Sequence, residues 1–194
     1  MRRLTGSQFG NRLNHPPSWP DWVKPWVANT GSLTAQLINR YGEIQVDLRA
    51  QGRRAVSLQQ AHWLRLKQRS QMRFRRVLLK ACCMPVVAAE SWVTLDGPRC
   101  DWSFWSTLGN QSLGSELFAN PQVRRQSVQY FKLTLHSAWV QQVLGHSLFH
   151  ALQATTPMSG WYVRQACYVK PPGFTPLWVA EIFLPTLHDC CVGN

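Results

Sequence analysis

Two charged side chains fall where strand alternation points them toward apolar neighbours. Glu181 lies in Leu177-Trp178-Val179-Ala180-Glu181-Ile182-Phe183-Leu184, and a period of two puts it on the face of Val179 and Phe183. A carboxylate on such a face is paired, protonated or functional, unless the strand is an edge with that face in water. Arg75 lies in Arg73-Phe74-Arg75-Arg76-Val77-Leu78-Leu79 and shares a face with Val77 and Leu79. Its planar fork suits a two-point grip on a carboxylate; the alternative is a solvent-facing strand arginine in a basic chain. His146 and His150 stand four apart, a spacing that can hold a metal on one helix face. The intervening Ser-Leu-Phe lacks the glutamate of a metalloprotease, and the remaining histidines and nine acids form no other cluster with ligand spacing, so no metal site is expected. No P-loop, G-x-G-x-x-G or G-x-S-x-G occurs, which removes support for phosphoryl transfer, dinucleotide binding and the common serine hydrolases.

The chain that must position these groups has 194 residues, enough for one domain with a substantial core. Hydrophobic residues make up 45% and charged residues 15%, with ten tryptophans, a globular composition. The formal net charge of +12 suits an anionic partner: nucleic acid, a membrane surface or an acidic metabolite. A nucleic-acid module would interleave aromatics with Lys and Arg on an exposed face, whereas the tryptophans here sit mostly in apolar runs. The six cysteines include the vicinal pairs Cys82-Cys83 and Cys190-Cys191 but no C-x-x-C, so free thiols in a reducing cytoplasm are expected rather than zinc or disulfides. Met1-Arg2-Arg3 leads into no apolar run, and no stretch approaches the ~18 residues that span a membrane.

Residues 1–16 read as an irregular, proline-punctuated arm, 17–187 as the single folded domain and 188–194 as a tail. Asp21 to Ala28 suggests a short helix with Trp22 and Trp26 on one face. Ser32 is placed to cap a helix carrying Leu33, Leu37 and Ile38. Glu43 to Leu48 alternates as a strand, and Ser57 to Leu66 reads as a helix. Gln71 to Ala81 and Pro85 to Leu95 form a hairpin around Cys82-Cys83-Met84. Gly114 to Phe118 is a helical turn, Gln126 to Leu135 a strand and Ser137 to Leu152 one longer amphipathic helix. Trp161 to Val169 and Leu177 to Leu184 are the last strands. The sum is an α+β domain on an antiparallel sheet.

Four segments, in order, resemble the chorismate–pyruvate lyases of bacterial ubiquinone synthesis. They are Gly31-Ser32-Leu33-Thr34 with the strand Ile44 to Leu48; Arg75-Arg76-Val77-Leu78-Leu79 followed by Pro85-Val86-Val87-Ala88; Leu108-Gly109-Asn110-Gln111-Ser112-Leu113-Gly114-Ser115-Glu116-Leu117-Phe118, like the family's L-G-x-x-P-L-G-x-x-L-F with Ser112 at the usual proline; and Glu181-Ile182-Phe183-Leu184-Pro185, like its E-x-F-L-P. The resemblance spans roughly residues 17–187.

It implies helical lids over an enclosed site and the conversion of chorismate to 4-hydroxybenzoate and pyruvate, with no cofactor. Arg75 would bind the ring carboxylate and Glu181 the ring hydroxyl. Leu33 and Leu113, each following a serine at a helix start, would line the site and present backbone N–H groups. Where the family often carries a second arginine in an A-R-[ST] context, this chain has Ala89-Glu90-Ser91. With a tight two-residue turn Glu90 would lie opposite Arg75 and pair with it, leaving Arg73, Arg76 or Arg164 (in a W-x-x-R context) to supply charge for a dianion. Hydrogen transfer to the enolpyruvyl methylene is either concerted, with Glu181 positioning the ring, or stepwise, with Glu181 as base; positioning is favoured. The expectation is a cytoplasmic monomer acting on a small molecule, without nucleic acid or stable membrane insertion. The alternative is a non-catalytic sensor domain that binds a hydroxybenzoate-like aromatic acid.

Overall fold

The central hairpin sets the geometry of everything above it. In the computed structural model, which describes residues 19–28, 31–56, 61, 70–95, 102–155, 159–171 and 175–189, strand β2 (Gln71–Ala81) turns into β3 (Met84–Thr94) through Cys82 and Cys83. Both turn residues have positive φ, 47° and 65°, the arrangement whose twist matches two paired strands. The register opens as Ala81↔Met84 and Lys80↔Pro85, then slips to Leu79↔Val87. Val86 is the extra residue of this bulge, which changes every pairing beyond it. Arg75 therefore faces Ser91, and Glu90 faces Arg76.

Six strands form one antiparallel sheet in the order β1-β2-β3-β6-β5-β4. Here β1 is Gln45–Ala55, β4 Arg124–Leu133, β5 Trp161–Val169 and β6 Leu177–Phe183. The last strand is inserted between β3 and β5, so Glu181 lies mid-sheet rather than on an edge. β1 runs well past the expected Leu48, because the basic stretch to Ala55 still pairs with β2.

One face of the sheet is covered by α4 (Ala138–Leu144) and α5 (His146–Thr155). Val140, Val143, Leu144, Phe149 and Leu152 pack there on Leu78, Ala88, Trp92 and Ile182. The single helix expected over Ser137 to Leu152 is thus two, broken where Gly145 adopts φ 81° and its N–H caps Gln141. His146 and His150 are exposed, with ring centroids 4.3 Å apart and the planes tilted by 53°; no metal-binding cluster of His, Cys, Asp and Glu occurs among the described residues.

The opposite face carries α1 (Lys24–Ala28), α2 (Leu33–Tyr41) and the C-terminal α6 (Thr186–Asp189) at one end. The segment from Trp102 to Leu108, with α3 (Leu113–Ala119), lies at the other. Two separate apolar clusters form under these groups, and the space between them is open. The expected helix Ser57 to Leu66 lies outside the described residues apart from Ala61, as do the arm 1–16 and residues 190–194 of the tail. Cys82, Cys83 and Cys167 are thiols, not disulfides. No described helix is long and apolar enough to cross a membrane.

Candidate active site

Between the two apolar clusters the sheet floors a pocket of about 620 Å³, counting the part open to solvent. Strand alternation places Arg75, Val77 and Leu79 of β2, Ala89 and Ser91 of β3, Val179 and Glu181 of β6, and Arg164 and Tyr168 of β5 in its wall. All four site residues inferred from the sequence, Arg75, Glu181, Leu33 and Leu113, line this one pocket, and Arg164 joins them.

Arg75 is 2% exposed. Its Nη2 donates to the carbonyls of Gly109 (2.8 Å) and Gln111 (2.9 Å). These belong to the loop before α3, which turns at Gly109 with φ 50° and is anchored by buried Trp105 and Leu108. No acid pairs with Arg75 among the described residues, and its buried Nε has no hydrogen-bond partner there. Burial pulls its pKa below the usual arginine value, the sign of a desolvated cation that an anion would stabilise.

At the other end Glu181 Oε2 accepts from Arg164 Nε at 2.6 Å. Arg164 also donates from Nη1 to the Trp26 carbonyl at 3.1 Å, which fixes the guanidinium against α1. Burial works against the charge on Arg164, but the Glu181 carboxylate more than offsets it and raises its pKa. Register puts Glu181 two strands across from Arg75 and two residues along, ~12 Å between Cα positions. Between them the floor is small or apolar: Val77, Ala89, Ser91 and Val179.

The roof is made by the N-termini of α2 and α3. Ser32 Oγ accepts from the Ala35 N–H at 3.2 Å and caps α2. Ser112 does not cap α3 with its side chain; its hydroxyl instead reaches Thr34 Oγ1 on α2 at 2.8 Å. The helices approach so closely that a Cβ on Gly114 would stand 3.0 Å from Ser32 Oγ. Leu33 and Leu113 are the first residues of their helices, where backbone N–H groups lack intrahelical partners.

Glu90 is not in this pocket. The bulge turns it to the opposite face, where it is fully buried and bonded to Arg54 (2.7 Å), Arg76 (3.2 Å) and Trp139 Nε1 (2.7 Å). It therefore does not oppose Arg75, and Arg76 is likewise unavailable to a ligand in the pocket. Two wall residues were not singled out from the sequence. Ser91 accepts from Trp105 Nε1 at 3.2 Å. Tyr168 sits on the same strand face as Arg164, a spacing of four that alternation alone would reveal. Burial and the nearby Glu181 charge push the Tyr168 phenol up to about 12.

A buried cation at one end of a flat apolar slot and a carboxylate–guanidinium pair at the other can hold a planar acid bearing a distal hydroxyl. Residues 14–192 match the chorismate lyase family. The chain is 30% identical over 188 residues to the probable chorismate pyruvate-lyase of Nitrosomonas europaea, covering 91% of this chain and 98% of that one. It is 31% identical over 169 residues to that of Ralstonia nicotianae, covering 86% and 82%. Among solved structures, the effector domain of PhnF from Mycobacterium smegmatis superimposes with a TM-score of 0.51 at 11% identity, covering 81% of this chain and 90% of that one, a likeness of fold alone.

Proposed function

The chain belongs to the chorismate lyase family, and on that premise we propose that it converts chorismate to 4-hydroxybenzoate and pyruvate, the first committed step of ubiquinone biosynthesis. The observation that carries this reading is the buried Arg75, without an acid partner among the described residues, facing Glu181 along an apolar floor. The ring carboxylate of substrate and product lies on Arg75 and replaces the solvation that burial removed. The ring hydroxyl lies at Glu181, whose Oε2 is held by Arg164 Nε. Leu33 and Leu113 cover the ring and offer backbone N–H groups from above.

The chemistry is an elimination in which all atoms of chorismate reappear in the two products. The ether C–O bond to the ring breaks, and the hydrogen on the neighbouring hydroxyl-bearing carbon leaves. Its arrival on the enolpyruvyl methylene turns that group into pyruvate while the ring becomes aromatic. No external oxidant or reductant enters. The chain's contribution is to hold the reactive conformer in a water-poor slot, and Glu181, already bonded to Arg164, acts by positioning rather than as the base. We assign this role to the domain 17–187, working as a cytoplasmic monomer on a small molecule rather than on nucleic acid.

Titration with 4-hydroxybenzoate and its two halves tests the assignment. Arg75→Gln should weaken 4-hydroxybenzoate and benzoate by roughly 10–100-fold, the worth of a charged hydrogen-bonded contact, and leave phenol unaffected. Equal losses for all three, or none, would refute the placement.

A further inference from the structure

The pocket floor is asymmetric about the line from Arg75 to Glu181. On one flank lie Val46, Val77 and Leu79, all apolar. On the other, Ser91 and Val179 lead to Tyr168, which pairs with Leu177 in the cross-strand row of Arg73, two residues beyond Arg75's level in the sheet. Chorismate has a feature its aromatic product lacks: an enolpyruvyl ether on the carbon beside the hydroxyl, carrying a second carboxylate. With the ring carboxylate on Arg75 and the hydroxyl at Glu181, that group projects to one flank. Over Val46, Val77 and Leu79 an ionised carboxylate would find no donor in the floor to replace its water.

The Tyr168 flank offers a donor. Tyr168 is 8% exposed and lines the pocket. Its cross-strand partner on β4 is Arg125, whose positive charge lies close enough to act on the phenol. A phenol O–H donates as well as accepts, so it can offer its proton to a carboxylate in the pocket that Tyr168 lines. Phe118 of α3 meets the Tyr168 ring edge-on at 6.3 Å and 82°, which fixes the ring from the lid side.

We propose that Tyr168, backed by Arg125, receives the enolpyruvyl carboxylate and so distinguishes substrate from product; this rests on the lyase reading above. The raised pKa of the phenol is consistent with a donor that keeps its proton at all working pH values.

The test is steady-state kinetics of Tyr168→Phe, which keeps the ring and its contact with Phe118. KM for chorismate should rise about tenfold, the loss of one hydrogen bond to a charged group. The inhibition constant of 4-hydroxybenzoate should stay within twofold, because the product has no such carboxylate. Arg125→Gln should shift the same two constants in the same sense. Parallel changes for substrate and product, or no change in either, would overturn the assignment while leaving the lyase reading intact. If the unaltered protein neither binds nor turns over chorismate, the lyase reading fails and this inference falls with it.

Discussion

Burying Arg75 against two carbonyl oxygens, rather than a carboxylate, leaves its charge largely uncompensated, whereas Arg164 a few ångströms beyond the other end is paired directly with Glu181. The two arginines therefore do different things: one waits on an anion, the other orients a carboxylate. If Glu181 positions the hydroxyl, Glu181→Gln should retain a substantial fraction of kcat, since the amide still accepts from Arg164; loss of nearly all turnover would make it the base. Glu90 is a contrasting case. Itself fully buried, it holds two mostly buried guanidiniums and an indole N–H, so Glu90→Ala strands those cations and should cost about 3–5 kcal/mol in denaturant unfolding. A Glu90→Ala protein of unchanged stability would show that the network carries little energy.

Among the elements, the lids and the hairpin decide what a ligand meets. The Ser112–Thr34 hydrogen bond ties α3 to α2 across the pocket roof, and a Cβ on Gly114 would crowd the Ser32 and Thr34 hydroxyls there. Ser112→Ala should speed 4-hydroxybenzoate dissociation several-fold in stopped-flow experiments, with little change in kcat if chemistry is limiting and a rise if release is. A dissociation rate identical to that of the parent would mean the bond is not a latch. The strand faces of Arg75 and Glu181 were legible from alternation alone, because both strands keep a strict period of two through the site. The pairing of Arg75 with Glu90 was not, because it depended on one extra residue. The hairpin was expected around Cys82-Cys83-Met84, and the two-residue turn on which that pairing was conditional is present at Cys82-Cys83, but the bulge at Val86 has no sequence mark beyond the preceding proline, and it reverses which side of the sheet Glu90 occupies. The helix break at Gly145 is similar: the apolar period runs through it, and only the glycine records the turn. The insertion of β6 beside β3, which brings Glu181 to mid-sheet, is a tertiary choice that local pattern does not encode.

Taken as a whole molecule, the chain presents a net charge of +12 to a substrate that carries two negative charges. Its field should draw chorismate toward the pocket, so kcat/KM should fall as salt rises from 10 mM to several hundred millimolar; insensitivity would assign the charge no role in capture. Alkaline stability is a second global property. Cys167 is buried and its thiol is pushed up to about 11 from 9.0. Above pH 9 the unfolded chain releases this proton while the folded chain keeps it, so stability is full below about pH 9 and lost as pH rises through 11. The loss should be roughly 2–3 kcal/mol and absent from the same interval in Cys167→Ala. Equal pH dependence in the two proteins would place the alkaline loss elsewhere. The measurement closest to the central claim is an incubation of purified protein with chorismate, without added cofactor, with products separated and identified. Equimolar 4-hydroxybenzoate and pyruvate, formed above the spontaneous rate and abolished by Arg75→Gln, is the expected result. Formation at the spontaneous rate only, with 4-hydroxybenzoate nonetheless bound in the pocket, would contradict it and leave a binding domain in place of an enzyme.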